Sequence, residues 1–243
     1  MAREKPPIVL VHGGMHGGWC WKRMRPLLAA AGHDVFTPTL TGLGERAHLG
    51  GREVGLSTHV EDVLAMVRAE ELERFVLVGH SYGGMVITGV AEAIGEKLVA
   101  VVYLDALAPR DGECAADISG LRIDYAALPD GMIPVFPDYT FGLADPADIA
   151  WVMAHVTPQS ARTVLEPLRI VTDHARLPRW FIECTAGRGD TTVMDGIAAR
   201  AAEVARDPSW RHVTFEAPHD CMVSHPRETA DLILDIVRAA DAA

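Results

Sequence analysis

A ten-residue stretch at positions 75–84, FVLVGHSYGG, constrains the fold of this chain more than any other feature. Four apolar residues lead into GHSYG and a second apolar run follows, which predicts a buried strand, a tight turn and a helix. Such a turn strains the backbone at Ser81 and leaves no room for side chains at Gly79 and Gly83. We therefore interpret Ser81 as a nucleophile raised above the edge of a sheet, at the positive end of the helix that follows.

Strands and helices are predicted to alternate around this stretch, as in a parallel sheet covered on both faces. Apolar runs predict strands over 8–11, 33–38, 75–78, 98–104, 180–185 and 212–216. Helices are predicted over 19–31, from the capping box at Thr58 and Glu61, from the turn at Ser81 to residue 94, over 192–206, and from about Pro226. The predicted fold class is α/β, with a mainly parallel sheet of about six strands flanked by helices.

The alternation stops at about residues 109–176, where prolines separate short helical patterns. Because the sheet resumes afterwards, we interpret this cap segment as an insertion into a single domain over 1–243, whose core is 1–108 and 177–243. A substrate pocket is expected between the cap segment and Ser81. Its candidate lining residues are the larger apolar side chains of the cap segment: Met132, Phe136, Tyr139, Phe141, Trp151 and Met153.

Charge and composition limit the partners of the chain. A net charge of −11 and a pI of about 5.4 argue against nucleic acid and anionic membranes, which both reward clustered Lys and Arg. The apolar run at 8–11 is too short for a signal sequence or a membrane span. The scattered cysteines, with no CxxC pair, indicate free thiols in a reducing cytoplasm; they are Cys20, Cys114, Cys184 and Cys221. The sequence thus predicts a cytoplasmic protein without cofactor that acts on a small molecule, and leaves a homodimer possible.

Histidines supply the candidate base for Ser81. A serine hydroxyl needs a base to take its proton, and sites in α/β sheets lie at the carboxyl ends of strands. His219 follows the last predicted strand in a short loop, so we expect it to be that base. His12 and His16 have an HxxxH spacing typical of metal ligands on a helix, but they lie in the glycine-rich loop HGGMHGG without a carboxylate. We expect them to hold the backbone of that loop and predict no metal.

Three motifs give the chain a resemblance to the α/β-hydrolase superfamily over nearly its whole length: HGGMHGGWCW, GHSYGG and PHDCMVSHP. They resemble the branch that contains plant methylesterases, hydroxynitrile lyases and related bacterial esterases. The resemblance implies a serine esterase that works through an acyl-enzyme, with the backbone N–H groups of Gly14 and Tyr82 as oxyanion hole. The implied substrate is a small apolar or aromatic ester, and a carbamate or amide is within reach of the same chemistry.

The acid that orients His219 has two candidates. Asp190 follows the strand predicted over 180–185, where the resembled family usually places its acid, and is favoured. Asp105 ends the strand beside the nucleophile strand, where some members carry theirs, and is the alternative.

Two other functions stay open: a hydroxynitrile lyase-type C–C lyase and a non-catalytic receptor for a small ligand. The lyases resemble one another in a polar residue where this chain has Gly13. One class also carries a lysine directly after the histidine, where Asp220 would repel the departing anion. Intact Ser81 and His219 argue against a receptor, so the ester hydrolase is favoured.

Overall fold

A six-stranded parallel sheet lies at the centre of the computed structural model, which describes residues 5–187 and 191–242. The strands are β1 (Ile8–Val11), β2 (Val35–Phe36), β3 (Phe75–His80), β4 (Leu98–Leu104), β5 (Met132–Ile133), β6 (Gln159–Ser160), β7 (Arg179–Cys184) and β8 (Trp210–Phe215). The sheet order is β2-β1-β3-β4-β7-β8, with every pairing parallel, while β5 and β6 form a separate antiparallel pair. The α/β class and the mainly parallel sheet are confirmed.

Helices cover both faces of this sheet. They are α1 (Arg25–Ala30), α2 (Leu56–Ala69), α3 (Gly83–Ile94), α4 (Ala115–Ser119), α5 (Pro146–Met153), α6 (Arg162–Leu165), α7 (Thr192–Val204), α8 (Cys221–Ser224) and α9 (Pro226–Asp241). Short 3-10 turns lie at Gly18–Trp21, Gly44–Leu49, Gly95–Lys97, Tyr125–Ala127, Pro129–Gly131 and His174–Arg176.

Unbroken apolar strands are buried on both sides, because successive side chains point to opposite faces. In β1, Val9 packs towards α2, α3 and α7, whereas Ile8 packs towards α1, α8 and α9. Both side chains are fully buried. Four free cysteines are buried as well.

Three predicted elements differ most from the structure, while several others are shifted by one or two residues at an end. The helix expected over 19–31 is a 3-10 turn followed by α1, since Pro26 has no N–H to continue a helix from the preceding turn. The strand expected over 33–38 pairs only through Val35 and Phe36 at the edge of the sheet. Helix α2 begins at Leu56, so Thr58 lies in its first turn and accepts a 3.3 Å hydrogen bond from the Gly55 N–H.

The chain leaves the sheet after β4 and returns to it at β7. Between them lie α4, the β5–β6 pair, α5 and α6, which are all short. The limits of the cap segment at 109 and 176 stay a prediction. Within 5–187 and 191–242, no helix is long and apolar enough to cross a membrane.

Candidate active site

The turn after β3 holds Ser81 in the conformation that the sequence predicts. Its backbone has φ of 53°, in the left-handed region that costs energy for a residue with a side chain. A Cβ on Gly79 would lie 2.7 Å from the Gly83 carbonyl oxygen, and one on Gly83 would lie 2.7 Å from the Val11 carbonyl oxygen. Both glycines are therefore required by close backbone contacts, and Ser81 itself remains partly exposed.

His219 and Asp105 form a buried pair at the same end of the sheet. The His219 Nδ1–H donates to Asp105 Oδ2 over 2.6 Å, and the side chains are 3 % and 2 % exposed. The other carboxylate oxygen of Asp105 accepts from the Cys184 N–H at 3.1 Å. Because Nδ1 carries the proton that binds Asp105, Nε2 is the ring nitrogen that can accept one. Asp190, the acid that the sequence favours, lies outside the described residues.

His80 joins the Ser81 turn to His219. Its Nε2–H donates to the His219 carbonyl over 2.9 Å, and the two rings are 4.4 Å apart. Burial lowers the pKa of His80 well below its ordinary value, so the ring is neutral. Among the described residues, no hydrogen bond joins the Ser81 hydroxyl to His219. Such bonds are often long without substrate, and proton transfer here requires the hydroxyl and Nε2 to approach each other.

The loop after β1 lies directly against Ser81. A Cβ on Gly13 would lie 2.9 Å from Ser81 Cβ, and one on Gly14 would lie 3.7 Å from Tyr82 Cβ. Within 5–187 and 191–242, no protein acceptor takes a hydrogen bond from the N–H of Gly14 or Tyr82. Two unpaired backbone donors therefore lie beside the serine, which is what stabilisation of an oxyanion requires.

His12 holds this loop by its backbone. Its Nδ1–H donates to the Gly13 carbonyl at 2.8 Å, and its Nε2 accepts from the Leu40 N–H at 3.1 Å. Burial lowers the pKa of His12 to about 3, so the ring is neutral and this tautomer satisfies both partners. These contacts agree with the structural role expected from the sequence.

His16 and Asp220 form a second buried pair. His16 Nε2 lies 3.0 Å from Asp220 Oδ2, and its Nδ1–H donates to the Gly14 carbonyl over 2.7 Å. Burial opposes both charges. The carboxylate and the carbonyl nevertheless raise the pKa of His16, and His16 lowers the pKa of Asp220. Since both ring nitrogens face acceptors, we describe the pair as an imidazolium and a carboxylate.

One group of described residues has the spacing of metal ligands: His80, His219 and Asp220, with one ligand atom of each within 4.8 Å of the others. His80 and His219 each use one ring nitrogen for the hydrogen bonds given above. The group does not include the HxxxH pair, and we assign it no metal.

The candidate pocket residues occupy different surroundings. Phe141 packs edge-on against the His16 ring at 4.7 Å, and Tyr139 lies 4.4 Å from Phe141. Trp151 instead contacts Trp19, at 5.2 Å. Their role in binding substrate stays a prediction.

A cavity of about 550 Å³ lies away from this site. It reaches Arg179 and Trp210, at the amino ends of β7 and β8, and its lining includes neither Ser81 nor His219. A smaller one is lined by Met132 and Gln159. Its lining, like that of the larger cavity, includes neither Ser81 nor His219.

Sequence reasoning missed two contributions to this site. His80 stands inside the GHSYG motif, and its position next to the serine was the available signal. Gln159 comes from the cap segment and reaches the loop after β1, where it accepts a hydrogen bond from the Met15 N–H at 2.8 Å. Nothing in the sequence around Gln159 indicates this contact.

Comparison with known proteins agrees with this architecture. The model of the alpha/beta hydrolase family matches residues 8–232. A carbendazim hydrolyzing esterase from Nocardioides sp. (strain SG-4G) is 38% identical over 92% of this chain and 96% of its own length. Salicylic acid-binding protein 2 from Nicotiana tabacum is 37% identical, but the match spans only 44% of this chain and 42% of that protein.

Solved structures share the fold at lower identity. Tomato methylketone synthase I, complexed with 2-tridecanone, matches with a TM-score of 0.79 and 22% identity over 97% of this chain and 99% of its own. An extracellular alpha/beta-hydrolase from a Paenibacillus species matches with a TM-score of 0.77 and 21% identity over 95% and 98%.

Proposed function

This chain belongs to the alpha/beta hydrolase family, and we propose that it cleaves small carboxylic esters through Ser81, His219 and Asp105. The observation that carries the proposal is the 2.6 Å hydrogen bond from His219 to Asp105 beside the strained turn at Ser81. Among its relatives are proteins named esterases and methylesterases, which support a carboxylic-ester hydrolase.

In the proposed mechanism, His219 acts as the general base. Asp105 holds the proton on Nδ1, which leaves Nε2 to accept the Ser81 proton as Oγ attacks the ester carbonyl. The same ring then protonates the departing alcohol, and water hydrolyses the acyl-enzyme by the same route. Asp105 also stabilises the imidazolium that forms, because the pair is buried and hydrogen-bonded.

The unpaired N–H groups of Gly14 and Tyr82 are the proposed oxyanion hole. They are fixed before the reaction and need no reorganisation when charge develops on the carbonyl oxygen. Each such donor is worth about 2.7–4 kcal/mol of transition-state stabilisation in serine hydrolases.

The proposed substrate is an ester or carbamate with a small apolar or aromatic group. Two aromatic side chains of the cap segment support this class: Phe141 packs against His16, and Tyr139 packs against Phe141. Since one relative over 92% of the chain is named for carbendazim, that compound belongs in the substrate panel.

A nitrophenyl ester series tests the proposal. The wild type is expected to release a burst of nitrophenol followed by steady turnover, and Ser81→Ala should lose about 10⁴-fold or more in kcat. The exposed Ser57→Ala is the matched control and should retain full activity. Turnover in Ser81→Ala close to that of the control would refute Ser81 as the nucleophile.

The lyase alternative is tested by the same preparations. The structure weakens one argument against it, because Asp220 is fully buried and its charge is offset by His16. The glycine at position 13 still differs from the polar residue of the lyases. Mandelonitrile cleavage faster than that of every ester would favour the lyase.

A further inference from the structure

The segment that leads into β6 reaches across to the loop after β1 and binds Met15 on two sides. The Met15 N–H donates to Gln159 Oε1 over 2.8 Å, and the Met15 carbonyl accepts from the Thr157 N–H over 2.9 Å. Met15 has φ of 63°, a left-handed conformation that a residue with a side chain adopts at a cost. These two hydrogen bonds offset that cost and keep Met15 in place.

The Gln159 side chain has one defined orientation. The Thr163 hydroxyl donates to the Ser160 carbonyl at 2.7 Å, so it can only accept from Gln159 Nε2, also at 2.7 Å. The amide oxygen of Gln159 must therefore face Met15. The side chain is buried, and its oxygen lies 2.9 Å from the place where a Cβ on Gly14 would be. The absence of a side chain at residue 14 is what lets Gln159 approach.

Gly14 depends on its neighbours for the direction of its N–H, because glycine has little conformational preference of its own. The peptide before it is held by His12, which binds the Gly13 carbonyl. The peptide after it is held at both ends, by His16 on the Gly14 carbonyl and by Gln159 on the Met15 N–H. The cap segment thus supplies one of the side-chain contacts that define the backbone on either side of Gly14.

We propose that Gln159 is a positioning residue that aims the Gly14 N–H at the oxyanion, and so couples the cap segment to the catalytic centre. The inference rests on the proposed function, since it assigns Gly14 as an oxyanion donor. Gln159 acts through the loop backbone and does not itself stabilise the charge. Losing this contact should therefore slow the chemical step more than it weakens substrate binding.

Gln159→Met tests the inference, since it keeps the length of the side chain and removes both polar atoms. We expect kcat to fall roughly ten- to hundredfold, the range for a donor displaced by up to an ångström, while KM changes less than about threefold. Ser160→Ala is the matched control: its hydroxyl is equally buried, sits next to Gln159 and has no hydrogen-bond partner among the described residues. The control should keep the wild-type kcat. A kcat for Gln159→Met within twofold of wild type would overturn the proposal.

A second variant separates positioning from a general loss of structure. Protonated glutamic acid can replace both hydrogen bonds of glutamine, whereas the carboxylate cannot donate to Thr163. The kcat of Gln159→Glu relative to wild type should therefore rise as the pH is lowered. A ratio that does not change with pH would argue against the positioning role.

Hydrogen exchange of the Met15 amide, followed by NMR, reports on the contact without any substrate. Exchange should be faster in Gln159→Met and unchanged in Ser160→Ala. A slow kcat with unchanged exchange would overturn the inference. If the wild type hydrolysed no ester, the proposed function would fail, and faster Met15 exchange in the variant would still establish the contact.

Discussion

The two histidine–carboxylate pairs at the Ser81 end of the sheet differ in the hydrogen bonding of one histidine ring nitrogen. Both pairs, His219 with Asp105 and His16 with Asp220, are buried. Asp105 directly follows β4, and Asp220 directly precedes α8. In the second pair both ring nitrogens are used, on Asp220 and on the Gly14 carbonyl. In the first, Nδ1 is used and Nε2 has no hydrogen-bond partner within 5–187 and 191–242.

Under the proposed function, this difference separates a reactive pair, His219 with Asp105, from a structural one, His16 with Asp220. A ring with both nitrogens bonded to acceptors is held in its charged form and cannot take a proton from a nucleophile. A ring with one nitrogen oriented by a carboxylate and the other unbound can serve as a base. Residue type and burial are the same in the two cases, so the role follows from the hydrogen bonds alone.

The largest effect is expected from removing the charge of the reactive pair. Asp105→Asn keeps the shape but favours the wrong tautomer of His219, and kcat should fall by about 10³–10⁴-fold. Steady-state kinetics on a nitrophenyl ester measures it. Asp190→Asn is the matched comparison and should change kcat by less than about threefold on the same scale. The reverse result, with Asp190→Asn inactive and Asp105→Asn active, would return the role of the acid to Asp190.

The sequence could predict those parts of the fold whose causes are local. Each central strand is an unbroken apolar run, and α9 begins at Pro226 with its buried face on a helical period. The turn at Ser81 could also be predicted from the sequence, because close backbone contacts at positions 79 and 83 admit only glycine. In these places the residues that cause the structure are adjacent in the chain.

Pairings between distant residues could not be predicted in this way. Asp105 and Asp190 both follow strands on the same side of the nucleophile, so strand order alone does not decide which one meets His219. Gln159 is 144 residues from Met15, and its contact depends on where the cap segment crosses the loop. Asp220 was interpreted as a charge that repels anions because its buried partner, His16, is just as remote in sequence.

Breaking the structural pair of His16 and Asp220 is expected to reduce activity less and to lower stability clearly. Asp220→Asn leaves His16 buried without a carboxylate, which should lower the free energy of unfolding by about 3 kcal/mol, while kcat falls less than about tenfold. Urea unfolding and ester kinetics measure the two effects. The double variant His16→Gln/Asp220→Asn should lose less stability than the sum of the single variants, since it leaves no unpaired charge. Additive losses would mean that the two side chains do not act as a pair.

The smallest expected effect is a pH dependence confined to that same pair. The folded pKa of His16 lies above its ordinary 6.5, so its contribution is complete below about pH 6.5 and is lost as the pH rises through the raised value. The folded pKa of Asp220 lies below its ordinary 3.8, so its contribution is complete above about pH 4 and is lost as the pH falls through the lowered value. The stability difference between wild type and Asp220→Asn should therefore be greatest between about pH 4 and 6.5 and should shrink towards pH 9.

Urea unfolding at about pH 5 and pH 9 measures this stability difference. Glu61→Gln, which removes the exposed ion pair with Arg68, is the control and is expected to show no such trend. A stability difference between wild type and Asp220→Asn that grew with pH would mean that His16 is neutral in the folded protein. The contrast between His16 and His219 would then lie in their hydrogen-bond partners and not in their charge.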